Sequence, residues 1–125
     1  MLIVIDFESE EPIYQQLKNS IMKGILTNEL KEGESLPSVR EMASDIGVNM
    51  HTVNKTYNLL KEDGLINIDR RKGAIVSKDK AKPTEEYKAK LKSNLDNIIV
   101  ESSLRGINEE EFLDICKELY NQYTV

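Results

Sequence analysis

A mostly helical protein with one small β hairpin is what the sequence predicts, in two parts: an N-terminal unit over 11–79 and a C-terminal two-helix segment over 83–125. Three patterns carry this expectation. Between Leu36 and Gly64, apolar residues recur at helical spacing in two short runs parted by a three-residue break. Directly after them, two runs rich in β-branched residues flank a five-residue polar tip. Beyond Pro83, two further stretches each carry a single apolar stripe.

In chain order, Leu2-Ile3-Val4-Ile5 is an apolar run ending at Asp6, too short for a signal anchor and expected as an edge strand or an arm lying on the core. Glu11-Pro12 opens the first helix, proline being suited to a first turn, where a missing amide costs nothing. Ile13, Leu17, Ile21 and Ile25 recur every four residues, flanked by Tyr14 and Met22, and give this helix one face to pack against the next two. Asn28 to Ser35 is a polar loop around Gly33.

Ser38, with Glu41 three positions on, forms a capping box for the second helix, whose buried face is Val39, Met42, Ala43 and Ile46. Gly47 can take the left-handed conformation that ends it. After the turn Gly47-Val48-Asn49, Asn49 caps a third helix with Val53, Thr56, Tyr57 and Leu60 inward. Outward it presents His51, Asn54, Lys55 and Asn58, donors and acceptors of a length to meet base edges in a major groove. Met50 and the Thr52 methyl suit thymine methyls, Asn54 suits adenine, and Lys55 suits guanine or phosphate. Leu65-Ile66-Asn67-Ile68 and Ala74-Ile75-Val76 then form a hairpin around Asp69-Arg70-Arg71-Lys72-Gly73. A helix-turn-helix followed directly by a hairpin with a basic tip is a winged helix. Arg70, Arg71 and Lys72 suit phosphate or minor-groove contact, and Gly73 permits the tight turn.

Net charge is −5 over 125 residues, yet within 49–78 basic residues outnumber acidic ones six to three. The basic surface is therefore local, as groove binding requires. Lys78 to Lys82 is a charged linker, and Pro83-Thr84-Glu85-Glu86 starts the next helix. Its apolar side is Tyr87, Leu91, Leu95, Ile98 and Ile99, up to Gly106. Asn108 with Glu111 caps the last helix, which gathers Phe112, Ile115, Cys116, Leu119, Tyr120 and Tyr123. Two helices alone cover such stripes poorly, so Leu91, Leu95, Ile98, Phe112, Ile115, Leu119 and Tyr120 are expected to form a homodimer contact; the alternative is folding back on the same chain's winged helix.

Other functions find little support. Cys116 is the single cysteine, which excludes an intramolecular disulfide, and its apolar helical face suggests a buried thiol. His51 is the single histidine, with no carboxylate at catalytic spacing; no Cys/His cluster suggests a metal and no glycine pattern a phosphate loop, so neither enzyme activity nor a cofactor is expected. Without a long apolar run or signal-like start, a soluble cytoplasmic protein with no membrane partner is expected. A winged helix used only for protein contact would favour exposed aromatics and methionine on its outer face; only Met50 fits, so double-stranded DNA is the preferred partner.

The stretch Pro12 to Ser77 resembles the DNA-binding domain of the GntR family of bacterial winged-helix transcription regulators. PIYQQL at Pro12 to Leu17, LPSVREMA at Leu36 to Ala43 and GVNMHTVNKTYNLLKEDGLI at Gly47 to Ile66 carry the likeness in order. The short C-terminal part is similar to the YtrA-type branch, with its small helical dimerisation segment. The resemblance implies a homodimeric repressor on an inverted-repeat operator, often linked to ABC-transporter operons, with Ser38 and Arg40 against the DNA backbone. It implies no large ligand domain, and no effector is assigned. YtrA-type sequences commonly carry Asn-Pro-Asn-Thr where this chain has Asn49-Met50-His51-Thr52; the family's wing tip usually has a second glycine where this chain has Arg71, and relatives often have glycine at Asn28 and proline at Glu32. With one lysine and no arginine on the exposed first turns of the reading helix, A·T-rich half-sites are expected.

Overall fold

The computed structural model describes residues 3–123. They form α1 (Ile13–Leu26), α2 (Val39–Ile46), α3 (Met50–Glu62), β1 (Ile66–Asp69), β2 (Gly73–Val76), α4 (Glu85–Leu104) and α5 (Glu109–Tyr123). The result is the expected mostly α fold with a small wing and C-terminal helices. Two compact units divide the chain, one running to Ala81 and one beginning at Lys82.

The first unit is built on the three apolar stripes. Leu17 and Ile21 of α1, Val53 and Leu60 of α3, and Ile66 and Val76 of the hairpin are essentially inaccessible to water, joined by Met42 and Ala43 of α2. Burying each large aliphatic group contributes about 1.5–3 kcal/mol, so this cluster outweighs any single polar contact around it. The helix ends follow the sequence: Ser38 Oγ accepts from Glu41 N–H (3.1 Å), Gly47 closes α2 with φ of 73°, and Asn49 Oδ1 accepts from Thr52 N–H (2.9 Å). Pro12 stands one step earlier than a first helical residue: it is the cap of α1, extended at ψ of 145°, and its carbonyl accepts from the amides of Gln15 and Gln16.

Three local features were less visible in the sequence. The hairpin pairs from Ile66↔Val76 to Asp69↔Gly73, one residue nearer the tip than the apolar runs alone indicate, because Asp69 and Gly73 close the ladder with their backbones. Beside β2, the loop before α2 acts as a third strand: Leu36 N–H donates to Ala74 O, Val76 N–H to Glu34 O, and Gly33 N–H to Val76 O. That pairing satisfies an edge that would otherwise be open. At the N-terminus Leu2 lies outside the described residues, while Ile3 and Ile5 pack on the core without forming a strand. Gln16 pins this arm, accepting from Asp6 N–H (2.9 Å) and donating to Asp6 O (3.0 Å).

α4 and α5 contrast with this. Thr84 Oγ1 and Asn108 Oδ1 cap their starts, yet neither helix has a single buried described residue. Their apolar side chains, at best half-buried, therefore receive much less of the burial free energy that holds the first unit together. No described helix is long and apolar enough to cross a membrane.

Gly64, where α3 hands over to β1, carries a constraint the sequence pattern did not disclose. Its φ is 79°, and a Cβ there would meet the Lys80 carbonyl carbon at 2.7 Å and the Ala81 nitrogen at 2.9 Å. Gly47 is also left-handed, but a Cβ on it would meet nothing within 4 Å. Gly47→Ala is thus expected to cost only the conformational penalty, about 1–2 kcal/mol, and Gly64→Ala that penalty plus overpacking of about 1–3 kcal/mol. Urea unfolding of the two variants checks this; equal losses would show that the chain after the wing yields freely.

Candidate nucleic-acid interface

α3 is clamped from three sides before its outer face is considered. Tyr57 donates its hydroxyl to Pro37 O (2.7 Å), tying the helix to the segment that leads into α2. Burial, and secondarily the Glu41 carboxylate, hold the Tyr57 phenol well above its ordinary pKa, so it remains a donor. The buried Thr56 hydroxyl lies within reach of Thr52 O (3.0 Å) and Tyr14 O (3.3 Å), joining α3 to α1. Lys18 of α1 and Asp63 at the end of α3 form an ion pair at 2.7 Å.

Each expected site residue can now be placed. Asn49, Met50, His51, Asn54 and Lys55 are exposed along the first turns of α3, as is Asn58 beyond them. Thr52 is half-buried, and its hydroxyl donates to Asn49 Oδ1 (3.1 Å), so cap and side chain share one acceptor and leave the Thr52 methyl as its outward feature. Lys55 does not project freely: its ammonium sits 3.8 Å from the centre of the Tyr14 ring. Ser38 and Arg40 are exposed at the start of α2, the Ser38 oxygen already engaged as a cap.

The wing tip is ordered by its acid rather than its bases. Asp69 Oδ1 accepts from the amides of Arg71 (2.7 Å) and Lys72 (3.0 Å), an Asx-type turn that leaves the side chains of Arg70, Arg71 and Lys72 in solvent. Gly73 follows at φ of 76°. An aspartate opening a short hairpin tip is itself a turn signal, so the sequence carries a sign of this role. Tyr14, by contrast, gave no sign beyond flanking an apolar face.

In the second unit, Leu91, Leu95 and Ile98 of α4 and Ile115, Leu119 and Tyr120 of α5 are all exposed, Leu95 least at 37% and Tyr120 most at 78%. Phe112 and the Cys116 thiol are half-buried. Among the described residues, no group of three or more His, Cys, Asp or Glu could hold a metal ion.

A capped helix with an exposed polar face, seated on a helix-turn-helix and followed by a basic hairpin tip, defines a winged-helix DNA-binding protein. The family model described as bacterial regulatory proteins, gntR family, matches residues 10–76. The chain belongs to the GntR family, and it is a DNA-binding transcription regulator rather than an enzyme. It is 36% identical over 124 residues to the HTH-type transcriptional repressor YtrA of Bacillus subtilis (strain 168), covering 94% of this chain and 92% of that protein. A crystal structure described as a transcriptional antiterminator from Listeria monocytogenes EGD-e superposes with a TM-score of 0.91 at 30% identity, covering 98% of this chain and 92% of that one. The AraR DNA-binding domain in complex with operator ORE1 is similar at a TM-score of 0.52 and 25% identity, over 62% of this chain and 94% of that one.

The Asp69 turn gives a pH test. Its carboxyl is held below the ordinary carboxylate value, first by the Arg71 amide, then by the Lys72 amide, with the Lys72 charge adding to them. A depressed folded pKa means the turn is fully braced above about pH 4, the ordinary aspartate value, and loosens as pH falls through the lower folded value. The Arg71 and Lys72 amide resonances should therefore shift together below pH 4, and Asp69→Ala should abolish that titration. Persistence of the shifts in the variant would assign them to another acid.

Proposed function

We propose that the protein represses transcription by binding an inverted-repeat operator as a homodimer, with the start of α3 in the major groove. The observation that carries this reading is the exposed first face of α3, double-capped by Asn49 and clamped from behind by Tyr57 and Thr56. Met50, His51 and Asn54 read base edges there, Asn54 by a bidentate pair to adenine, and the Thr52 methyl packs on thymine. Asn49, as cap, sets the depth of entry. Lys55 adds a positive charge on the same helix. Ser38 and Arg40 at the start of α2, and Arg70, Arg71 and Lys72 at the wing tip, with Gly73 closing its turn, hold phosphates and orient the unit without naming a base. The repressor named YtrA and the operator complex of AraR support the direction of this reading.

Dimerisation is supported by the uncovered stripe of the second unit. A second copy covers Leu91, Leu95, Ile98, Phe112, Ile115, Leu119 and Tyr120, and two-fold symmetry of the protein then requires an inverted repeat in the DNA. With Lys55 the single lysine and no arginine on the exposed first turns of α3, guanine contacts are few and the half-sites are A·T-rich. The place of action is the cytoplasm, and an ABC-transporter operon is the target that the resemblance implies.

Selection of bound sequences from a random DNA pool tests the function directly: an A·T-rich inverted repeat is expected, and enrichment of G·C-rich or unsymmetrical sites would refute the assignment of readers. Asn54→Ala should lower operator affinity by roughly 1–3 kcal/mol and relax choice at one base pair per half-site, with non-specific binding nearly unchanged. For the dimer, Leu119→Glu places a charge on a side chain that the single chain leaves half exposed (50%), so the monomer's fold should tolerate it. Sedimentation of that variant should give a monomer that binds the operator far more weakly; a dimer would remove this stripe from the interface.

A further inference from the structure

Lys55 is the one cation on the exposed first turns of α3, and its setting differs from that of the wing-tip bases. Its ammonium lies over the face of Tyr14, 3.8 Å from the ring centre, and Tyr14 stands half-buried on the first turn of α1. The two helices are tied at this same level, since the Thr56 hydroxyl, on the residue after Lys55, approaches the Tyr14 carbonyl at 3.3 Å. Ring and ammonium are thus carried by elements that cannot drift apart without breaking the core.

A ring is an unusual partner for a cation because it restrains without neutralising. A carboxylate would cancel the charge of Lys55 and occupy its N–H groups with directional bonds. The face of an aromatic ring attracts one side of the ammonium and leaves the remaining N–H groups free for an anion. Lysine is a compact point charge suited to phosphate, whereas base recognition favours a flat, two-pronged donor or a side chain extended toward the groove. A lysine drawn back toward α1 is poorly placed for the second task and preset for the first.

We propose that Tyr14 is a positioning residue for DNA binding, its ring holding the Lys55 ammonium at the α1–α3 junction as a preset phosphate anchor and withdrawing it from base reading. The proposal rests on the reading of α3 as the DNA-contacting helix. It narrows Lys55 to phosphate contact and gives Tyr14, on a helix otherwise concerned with the core, a part in binding.

The test uses the full-length protein and the sequence it selects from a random DNA pool, with Tyr14→Phe, Tyr14→Leu, Lys55→Ala and the Tyr14→Leu/Lys55→Ala double variant. Thermal melting establishes that each is folded. Tyr14→Phe keeps the ring and should bind like wild type. Tyr14→Leu should weaken binding about two- to fivefold, on operator and unrelated DNA alike, and should add nothing once Lys55 is gone. Lys55→Ala should lower the slope of log affinity against log salt by about 0.9 and leave base preference intact. In solution without DNA, the Lys55 ε-methylene protons should resonate upfield in wild type and Tyr14→Phe, and lose that ring-current shift in Tyr14→Leu. Unchanged or tighter binding by Tyr14→Leu overturns the proposal, as does an equal loss in the absence of Lys55 or a changed base preference in Lys55→Ala. A wild type that enriches no DNA fails differently: it removes the DNA-contact reading of α3, and this proposal falls with it.

Discussion

The inner face of α3 is the constraint on which the rest of the first unit depends. Val53, Thr56, Tyr57 and Leu60 are all buried, against α1 on one side and α2 and the hairpin on the other. Because burial dominates the energetics, this face sets the rotation of the helix about its axis, and the outer face takes whatever direction remains. The hydrogen bonds of Tyr57 to Pro37 and of Thr56 to Tyr14 then limit sliding along the axis, a motion that apolar packing resists less well. Caps, wing and arm are arranged around a helix already fixed in orientation.

The second unit is organised in the opposite way. α4 and α5 have well-formed starts and charged first turns, yet no buried residue among those described, so the single chain leaves their stripes largely open. Charge follows the same division. The chain is acidic overall, with a pI near 5.0, and basic residues exceed acidic ones from α3 through the wing and again, through lysines alone, along the linker and the start of α4. A protein so charged is repelled by DNA except where one face is presented, which suppresses unproductive encounters more than it weakens the right one.

How much of this was legible in the sequence depends on how local the cause is. Ser38, Gly47 and Asn49 act on their own neighbours, and the caps and turn they indicated are where they were expected. The apolar stripes of α1, α2 and α3 named the core residues, since periodicity and burial are two views of one helix. The strand beside β2 at Glu34 to Leu36 was not legible, because it uses backbone groups of a loop paired with a segment some forty positions away. Among the candidate site residues, exposure was foreseeable but engagement was not: the Thr52 hydroxyl turns into its own cap, and Lys55 finds a ring on another helix. Both depend on which way a side chain leans, which composition and spacing leave open.

The separation of the two faces of α3 also bears on how such a protein changes over generations. Met50 and His51 open the exposed face of α3. Met50 is the first residue of α3, where the amide has no partner inside the helix, so exchange with proline removes no helical hydrogen bond. His51 and Asn54 are exposed and contribute nothing to the buried cluster. Mutations here are nearly free of a folding penalty, whereas a change at Val53 or Leu60 would compromise the whole unit. The outer face of α3 can therefore change one residue at a time while packing holds its inner face. Copies of such a chain can come to differ on this face without passing through an unfolded intermediate.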